Sequence, residues 1–119
     1  MSESYDFGIK AEQLATQYLK SNGYEILERN FRFGKAEIDI IAKTPKNLII
    51  IEVKARKTNY FGLPESFVTA NKIKLLGEAA NQYITTKNIS LEVRFDIISY
   101  IFQKGNWERK HIKNAFYVF

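Results

Sequence analysis

The apolar positions Phe7, Ala11, Leu14, Ala15, Tyr18 and Leu19 recur with the spacing of one face of an α-helix. Asp6 is the expected N-cap and Gly23 the expected stop. At about 100° per residue, Glu12 falls beside the apolar stripe, close to Ala15 and Leu19, and so leans toward the body of the domain. Three strand-like runs follow, "YEILERNFRF", "AEIDIIAK" and "NLIIIEVKAR", the last two joined by "TPKN", which predicts a three-strand meander. "KTNYFGLPES" reads as an irregular connection broken by Gly62 and Pro64. From Glu65 the spacing of Val68, Ile73, Leu75, Leu76, Ala79, Ala80 and Tyr83 is helical again, in spite of Gly77, and ends near Asn88. "LEVRFDIISYIF" is a strand, "QKGN" a turn, and "WERKHIKNAFYVF" one or two further strands. The expected fold is α/β: a mixed β-sheet flanked by helices, in the order αβββαβ plus a C-terminal strand or two.

Composition narrows this picture. At 119 residues, 45% hydrophobic and 14% aromatic, the chain is expected to form one packed domain over residues 1–119. The absence of cysteine removes disulfides, cysteine zinc sites and cysteine nucleophiles. The opening "MSESYDFGIKAEQ" lacks the basic and apolar regions of a secretory signal, and no apolar run reaches transmembrane length. A cytoplasmic protein with no membrane partner is the expectation.

Charge changes it more. Eight basic residues (Arg29, Arg32, Lys35, Lys43, Lys46, Lys54, Arg56, Lys57) and three acids lie between Arg29 and Lys57, so this segment holds the whole formal excess of +5. A basic excess gathered in one segment suits a polyanionic partner. A solvated lysine-rich surface is the plainer alternative.

The three acids are Glu37, Asp39 and Glu52, on strands otherwise rich in isoleucine. With strict alternation, Glu37, Asp39 and Ile41 share one face, and Leu48, Ile50, Glu52 and Lys54 share one face of the next strand. An even loop at "TPKN" makes facing residue numbers sum to 91, placing Asp39 opposite Glu52 and Glu37 opposite Lys54. An odd loop would turn the acids to opposite faces. In the even register the two carboxylates have Cβ atoms roughly 5 Å apart and repel unless a cation or proton intervenes. Mg²⁺ or Mn²⁺ suits such oxygen donors, and the Lys54 ammonium beside them could contact an attacked phosphate.

Cross-strand ion pairs, Glu37 with Lys54 and Glu52 with Arg56, are the structural alternative. A glycosidase-like carboxylate pair is formally open, but Lys54 and the basic surroundings fit phosphate better. His111, the only histidine, lacks the neighbours of a catalytic triad or zinc site and is expected at a surface or interface. Asp96 is expected to pair with Arg94 or cap a turn. Lys72 and Lys74, early on the second helix, are candidate phosphate contacts, and Tyr60, Phe61 and Arg56 could stack on an unpaired base.

Asp39, twelve intervening residues, then Glu52-Val53-Lys54 resembles the PD-(D/E)xK nuclease motif of the restriction-endonuclease-like core. More particularly, "GIKAEQLATQYLKSNGYEILERNFR", "AEIDIIA", "IIIEVKAR", "FGLPESFVTANKIKLLGEAANQYI", "VRFDIISY" and "HIKNAF" together resemble the YraN-type bacterial family, related to archaeal Holliday junction resolvases. The resemblance covers nearly the whole chain. It implies Asp39 and Glu52 as metal ligands, Glu12 completing the metal site, and Lys54 as the catalytic lysine. Ala36 stands where that family usually has glycine.

The reading is a Mg²⁺- or Mn²⁺-dependent endonuclease hydrolysing DNA phosphodiester bonds, with branched or junction DNA as candidate substrate and a homodimer as candidate assembly. Its catalytic residues are Glu12, Asp39, Glu52 and Lys54. Arg29, Arg32, Lys35, Arg56, Lys57 and Lys72 are expected to contact nucleic acid. The alternative is a non-catalytic nucleic-acid-binding module on the same scaffold.

Overall fold

The computed structural model describes residues 3–57 and 68–118. Tyr60, Phe61 and the breakers Gly62 and Pro64, together with the expected helix start at Glu65, lie outside the described residues. The elements are α1 (Glu3–Ser21), β1 (Glu25–Phe33), β2 (Ala36–Lys43), β3 (Asn47–Arg56), α2 (Ala70–Lys87), β4 (Glu92–Gln103) and β5 (Asn106–Ile112). They form one mixed sheet in the order β1-β2-β3-β4-β5. All pairings are antiparallel except β3 with β4, which is parallel, and α2 lies between those two strands in sequence, as a parallel crossover requires. This order, αβββαββ, is the expected αβββαβ with a single added strand at the end.

Each helix covers its own face of the sheet. Ala11, Ala15 and Leu19 of α1 pack with Ile40, Ala42, Ile49, Ile51, Ile98 and Tyr100. Leu76, Ala79, Ala80 and Tyr83 of α2 pack with Ile38, Ile41, Leu48, Ile50, Phe95 and Ile97. The run Leu48–Glu52 is therefore buried on both faces, which is why it reads as continuous isoleucine instead of alternating. Glu52 is the one charged residue in that run.

Both helix starts differ from expectation. α1 already runs from Glu3, so Asp6 lies within it instead of capping it. α2 begins at Ala70, because the Thr69 side chain accepts the Lys72 N–H at 3.1 Å and caps it. The stops agree: Gly23 has φ +85° after α1, and Asn88 caps α2 with φ 54°. The final segment is also different. The chain turns at Asn114 (φ 52°) after β5, and Ala115, Phe116 and Val118 fold back onto the α2-side core. Gly77 makes room for this: a Cβ there would overlap the Val118 side chain. Residues 113–118 are thus a packed tail and not a second closing strand.

The β2–β3 hairpin fixes the site. The paired residues Ile40–Ile51, Ile41–Ile50, Ala42–Ile49 and Lys43–Leu48 all sum to 91, the even register. Thr44 N–H donates to the Asn47 carbonyl at 2.9 Å, closing the turn around Pro45 and Lys46. The ladder ends at Ile40–Ile51, one step short of Asp39 and Glu52. There the strict alternation expected along β2 fails, since Ile38 packs under α2 while Ile40 packs under α1. On the neighbouring β1, Asn30 sits at φ 55°, between the pairs Arg29–Ile40 and Phe31–Ile38. The two irregularities lie abreast, and β2 and β3 part beside them.

Candidate active site at the β2–β3 fork

Glu52 projects from the last doubly buried step of β3 and is only 4% exposed. Its Oε1 accepts from Lys72 Nζ of α2 at 2.7 Å and lies 3.7 Å from Lys54 Nζ. Its Oε2 is buried and has no hydrogen-bond partner among the described residues. A buried carboxylate oxygen without a donor is costly, so this atom is a candidate contact for a cation.

Asp39 comes from the parting strand. Its Oδ2 accepts the Val53 N–H at 2.8 Å, taking the donor that an unbroken ladder would give to a β2 carbonyl. Burial first, and then the charge of Glu52, push its carboxyl up to about 8, against the lowering effect of the Val53 hydrogen bond. Lys72 feels the opposite balance: burial pulls its ammonium down, but the hydrogen bond and charge of Glu52 outweigh that and raise it.

Glu12, from α1, faces the same fork. Burial raises its carboxyl, Arg29 at 3.9 Å lowers it, and Glu37 and Glu52 raise it further. In the amide orientation that satisfies both neighbours, Asn30 donates to Glu12 Oε1 at 3.1 Å and to Glu37 Oε1 at 3.2 Å. The left-handed turn at Asn30 is what aims that amide at two carboxylates. Glu37 is held on its other side by Arg32 at 3.0 Å, its neighbour in the β1–β2 register. Both ion pairs of the structural alternative are therefore replaced: Glu37 takes Arg32 instead of Lys54, and Glu52 takes Lys72 and Lys54.

Asp39, Glu52, Lys54 and Lys72 meet at the fork, and Glu12 lies within electrostatic reach of both acids. Among the described residues no three acidic or histidine side chains converge closely enough to form a ready-made metal cage. Asn30 and the inward turn of Lys72 escape a reading of periodicity. The one trace in the sequence is an asparagine in mid-strand, a residue that tolerates positive φ. Arg56 and Lys57 line a cleft of about 370 Å³ with Phe7, Gly8, Ala11, Glu12, Val53 and Ala55. Lys35 lines a second cleft with Glu37, Thr69, Asn71 and Lys72. Lys43 pairs with Glu25 at 3.9 Å, near the turn at the far end of the hairpin, and Lys74 lines a groove with Gly77 and Val118.

Asp96 and His111 belong to a different cluster. Asp96 is 0% exposed; it accepts from Arg94 Nε and Nη2 at 2.9 Å each and from the Asn114 N–H at 3.1 Å, and lies 2.7 Å from His111 Nε2. His111 Nδ1 is 2.8 Å from the Tyr18 hydroxyl, and Arg94 also donates to the Tyr24 hydroxyl at 2.9 Å. Burial pushes the Asp96 carboxyl up, but His111, Arg94 and Asn114 together hold it below its ordinary value. The pairing of Asp96 with Arg94 agrees with expectation. His111 does not lie at a surface: its side chain is 7% exposed, fastening β5 to α1 and β4.

Among the described residues no helix is long and apolar enough to cross a membrane. A solved structure of Hjc from Archaeoglobus fulgidus, a Holliday junction resolvase, is similar at 18% identity and a TM-score of 0.47, over 89% of this chain and 86% of that one. Much nearer in sequence are UPF0102 proteins of Christiangramia forsetii, 46% identical over the full length of both chains, and of Flavobacterium psychrophilum, 44% identical over the full length of both. A UPF0102 protein of Syntrophomonas wolfei is 40% identical over 93% of this chain and 97% of its own. The model of the uncharacterised protein family UPF0102 matches residues 11–100, and the chain belongs to that family.

Proposed function

We propose that the chain is a divalent-metal-dependent endonuclease that hydrolyses DNA phosphodiester bonds at the β2–β3 fork. One observation carries the reading: a buried Glu52 carboxylate, with Oε2 unpartnered among the described residues, lies within the electrostatic reach of an Asp39 carboxyl held protonated up to about pH 8. Such a pair fits a hard cation, which takes carboxylate oxygens and offsets their repulsion. Asp39 and Glu52 would hold Mg²⁺ or Mn²⁺, with Glu12 completing the donor set from α1. When bound, the ion supplies Lewis-acid chemistry at a phosphate and lowers the cost of forming hydroxide at neutral pH.

The chain's own residues supply the rest. Lys54, on the same face as Glu52, can hold a phosphate oxygen and neutralise charge that grows on it. Lys72 contributes a second ammonium. Arg29 orients Glu12, and the Asn30 amide links Glu12 to Glu37. Lys35, Arg56 and Lys57 line the two clefts beside the fork, where they can track a backbone, and Arg32 stands next to them on Glu37. Branched DNA is the substrate class that the resemblance to junction resolvases suggests. Cutting a two-fold symmetric junction on both strands calls for two sites and hence a homodimer.

A second reading has its own support. Lys72 already neutralises Glu52 at 2.7 Å, as a lysine would in a binding module that has dispensed with metal. Incubating the protein with linear, flapped and four-way-junction DNA, with and without Mg²⁺ or Mn²⁺, separates the two. The nuclease reading expects metal-dependent cleavage that Glu52→Gln abolishes. Binding without cleavage of any of these DNAs under either metal would favour the module.

A further inference from the structure

Phe7 belongs to two structures at once. It lines the cleft that holds Glu12, Arg56 and Lys57, and it stacks on Trp107 of β5, with ring centroids 4.6 Å apart and planes 30° apart. Phe102 joins them, 5.0 Å from Trp107 and 6.1 Å from Phe7, and Tyr100 backs Trp107 edge-on at 6.0 Å. Tyr100 is buried, but Phe7, Phe102 and Trp107 are each only partly buried. A cluster serving the core alone would have drawn these rings fully inward, as it did Tyr100.

The position is what gives the cluster a use. Phe7 precedes Glu12 by five residues on α1, which is about 7.5 Å along the helix axis. Between them the cleft lining is apolar at Val53 and Ala55 and cationic at Lys57, while the terminal nitrogens of the Arg56 guanidinium are buried. An aromatic wall beside a cationic rim is the combination that holds single-stranded nucleic acid, bases stacking while the backbone follows the charge. A base against Phe7 would belong to a nucleotide close to the one whose phosphate faces Glu12.

We propose that the Phe7–Trp107 stack is a platform for an unpaired nucleobase, so that the protein selects DNA with single-stranded character next to the fork. This rests on the nuclease reading for its purpose, but base binding needs neither metal nor cleavage. Duplex DNA keeps its bases stacked on one another and offers none to the platform.

Trp107 is the only tryptophan, so its fluorescence reports on this site. Oligothymidylate titrated into the full chain in EDTA should quench it saturably, and a blunt duplex of equal length should not. Phe7→Ala should weaken oligothymidylate binding about tenfold, in the range of one lost base stack. Phe7→Leu, which keeps apolar bulk on α1 but no ring, should weaken it similarly with little change in melting temperature. Absence of quenching, equal quenching by the duplex, or full affinity in Phe7→Leu would overturn the platform and leave the rings as packing between α1 and β5. Cleavage without quenching defeats the platform alone, whereas quenching without cleavage under any metal defeats the nuclease reading alone.

Discussion

Asp39 Oδ2 takes the Val53 N–H at 2.8 Å, so a side chain of β2 replaces its backbone at the point where β2 and β3 separate. The substitution satisfies a donor that the parting strands would orphan. It also fixes a carboxylate beside Glu52 at the mouth of the fork. The geometry of the site and the end of the ladder are one feature.

The pairing has a cost that pH should reveal. Asp39 has its folded carboxyl raised to about 8, against about 4 in the unfolded chain. Between those values the unfolded state has lost the proton that the folded state keeps, so stability falls as pH rises and levels off above about pH 8. Asp39→Asn, whose amide oxygen can still accept from Val53, should melt higher than the wild type in EDTA at pH 8. A rise of about 5 °C corresponds to roughly 1 kcal/mol in a small domain. The difference should vanish below about pH 4, where both states of the wild type are protonated.

The Asp96 cluster should respond in the opposite direction. Its folded carboxyl is lowered by His111 and Arg94 against the effect of burial. Its contribution is therefore present above the unfolded value and is lost as pH falls through the folded one. Asp96→Ala leaves Arg94 and His111 without their shared acceptor and should cost about 3 kcal/mol in urea denaturation at pH 7. A loss under 1 kcal/mol would mean that the network is not a fastening.

Lys72 and Lys54 should part company when each is removed. Lys72 occupies Glu52 Oε1 at 2.7 Å and competes with a cation for it. Lys72→Met should raise Mn²⁺ affinity by about tenfold, a change worth ~1.4 kcal/mol. Lys54→Ala should leave Mn²⁺ binding nearly unchanged and abolish cleavage. A loss of metal affinity in Lys72→Met would show that the lysine supports the site instead of competing for it.

DNA affinity should fall steeply with monovalent salt, through counterions released by Arg and Lys contacts. Ca²⁺, filling the carboxylate site without supporting cleavage, should tighten DNA binding at constant ionic strength. The double variant Asp39→Asn, Glu52→Gln should lose that response. Salt-dependent binding indifferent to Ca²⁺ in the wild type would favour the non-catalytic module.

The sequence discloses those parts of the fold governed by local rules. β2 and β3 agree with expectation in their limits because an alternating run, a tight turn and an isoleucine-rich run mark them out, and of the two registers the sequence leaves open the structure takes the even one, with pairs summing to 91. The even turn then predicts Glu52 and Lys54 on one face beside Asp39. What stays hidden depends on distant neighbours. Strict alternation along β2 fails at Asp39, abreast of the left-handed Asn30 on β1. Lys72 looks like a surface lysine on its own helix, and its reach to Glu52 follows from how α2 crosses the sheet. The tail after Ile112 reads as strand from its aromatics, but Phe116 and Val118 find the α2-side core instead. His111 looks solitary until Tyr18 and Asp96, far away in sequence, close around it.

The central claim is that the Asp39–Glu52 pair exchanges a proton for a divalent cation. Calorimetric titration with Mn²⁺ at pH 7, repeated in buffers of different ionisation heat, counts the protons released on binding. Because the Asp39 carboxyl is protonated up to about pH 8, binding should release close to one proton at pH 7 and almost none above about pH 9. Asp39→Asn and Glu52→Gln should each weaken the binding at least about tenfold. Mn²⁺ binding that is unchanged in both variants, or that releases no proton at pH 7, would contradict the account.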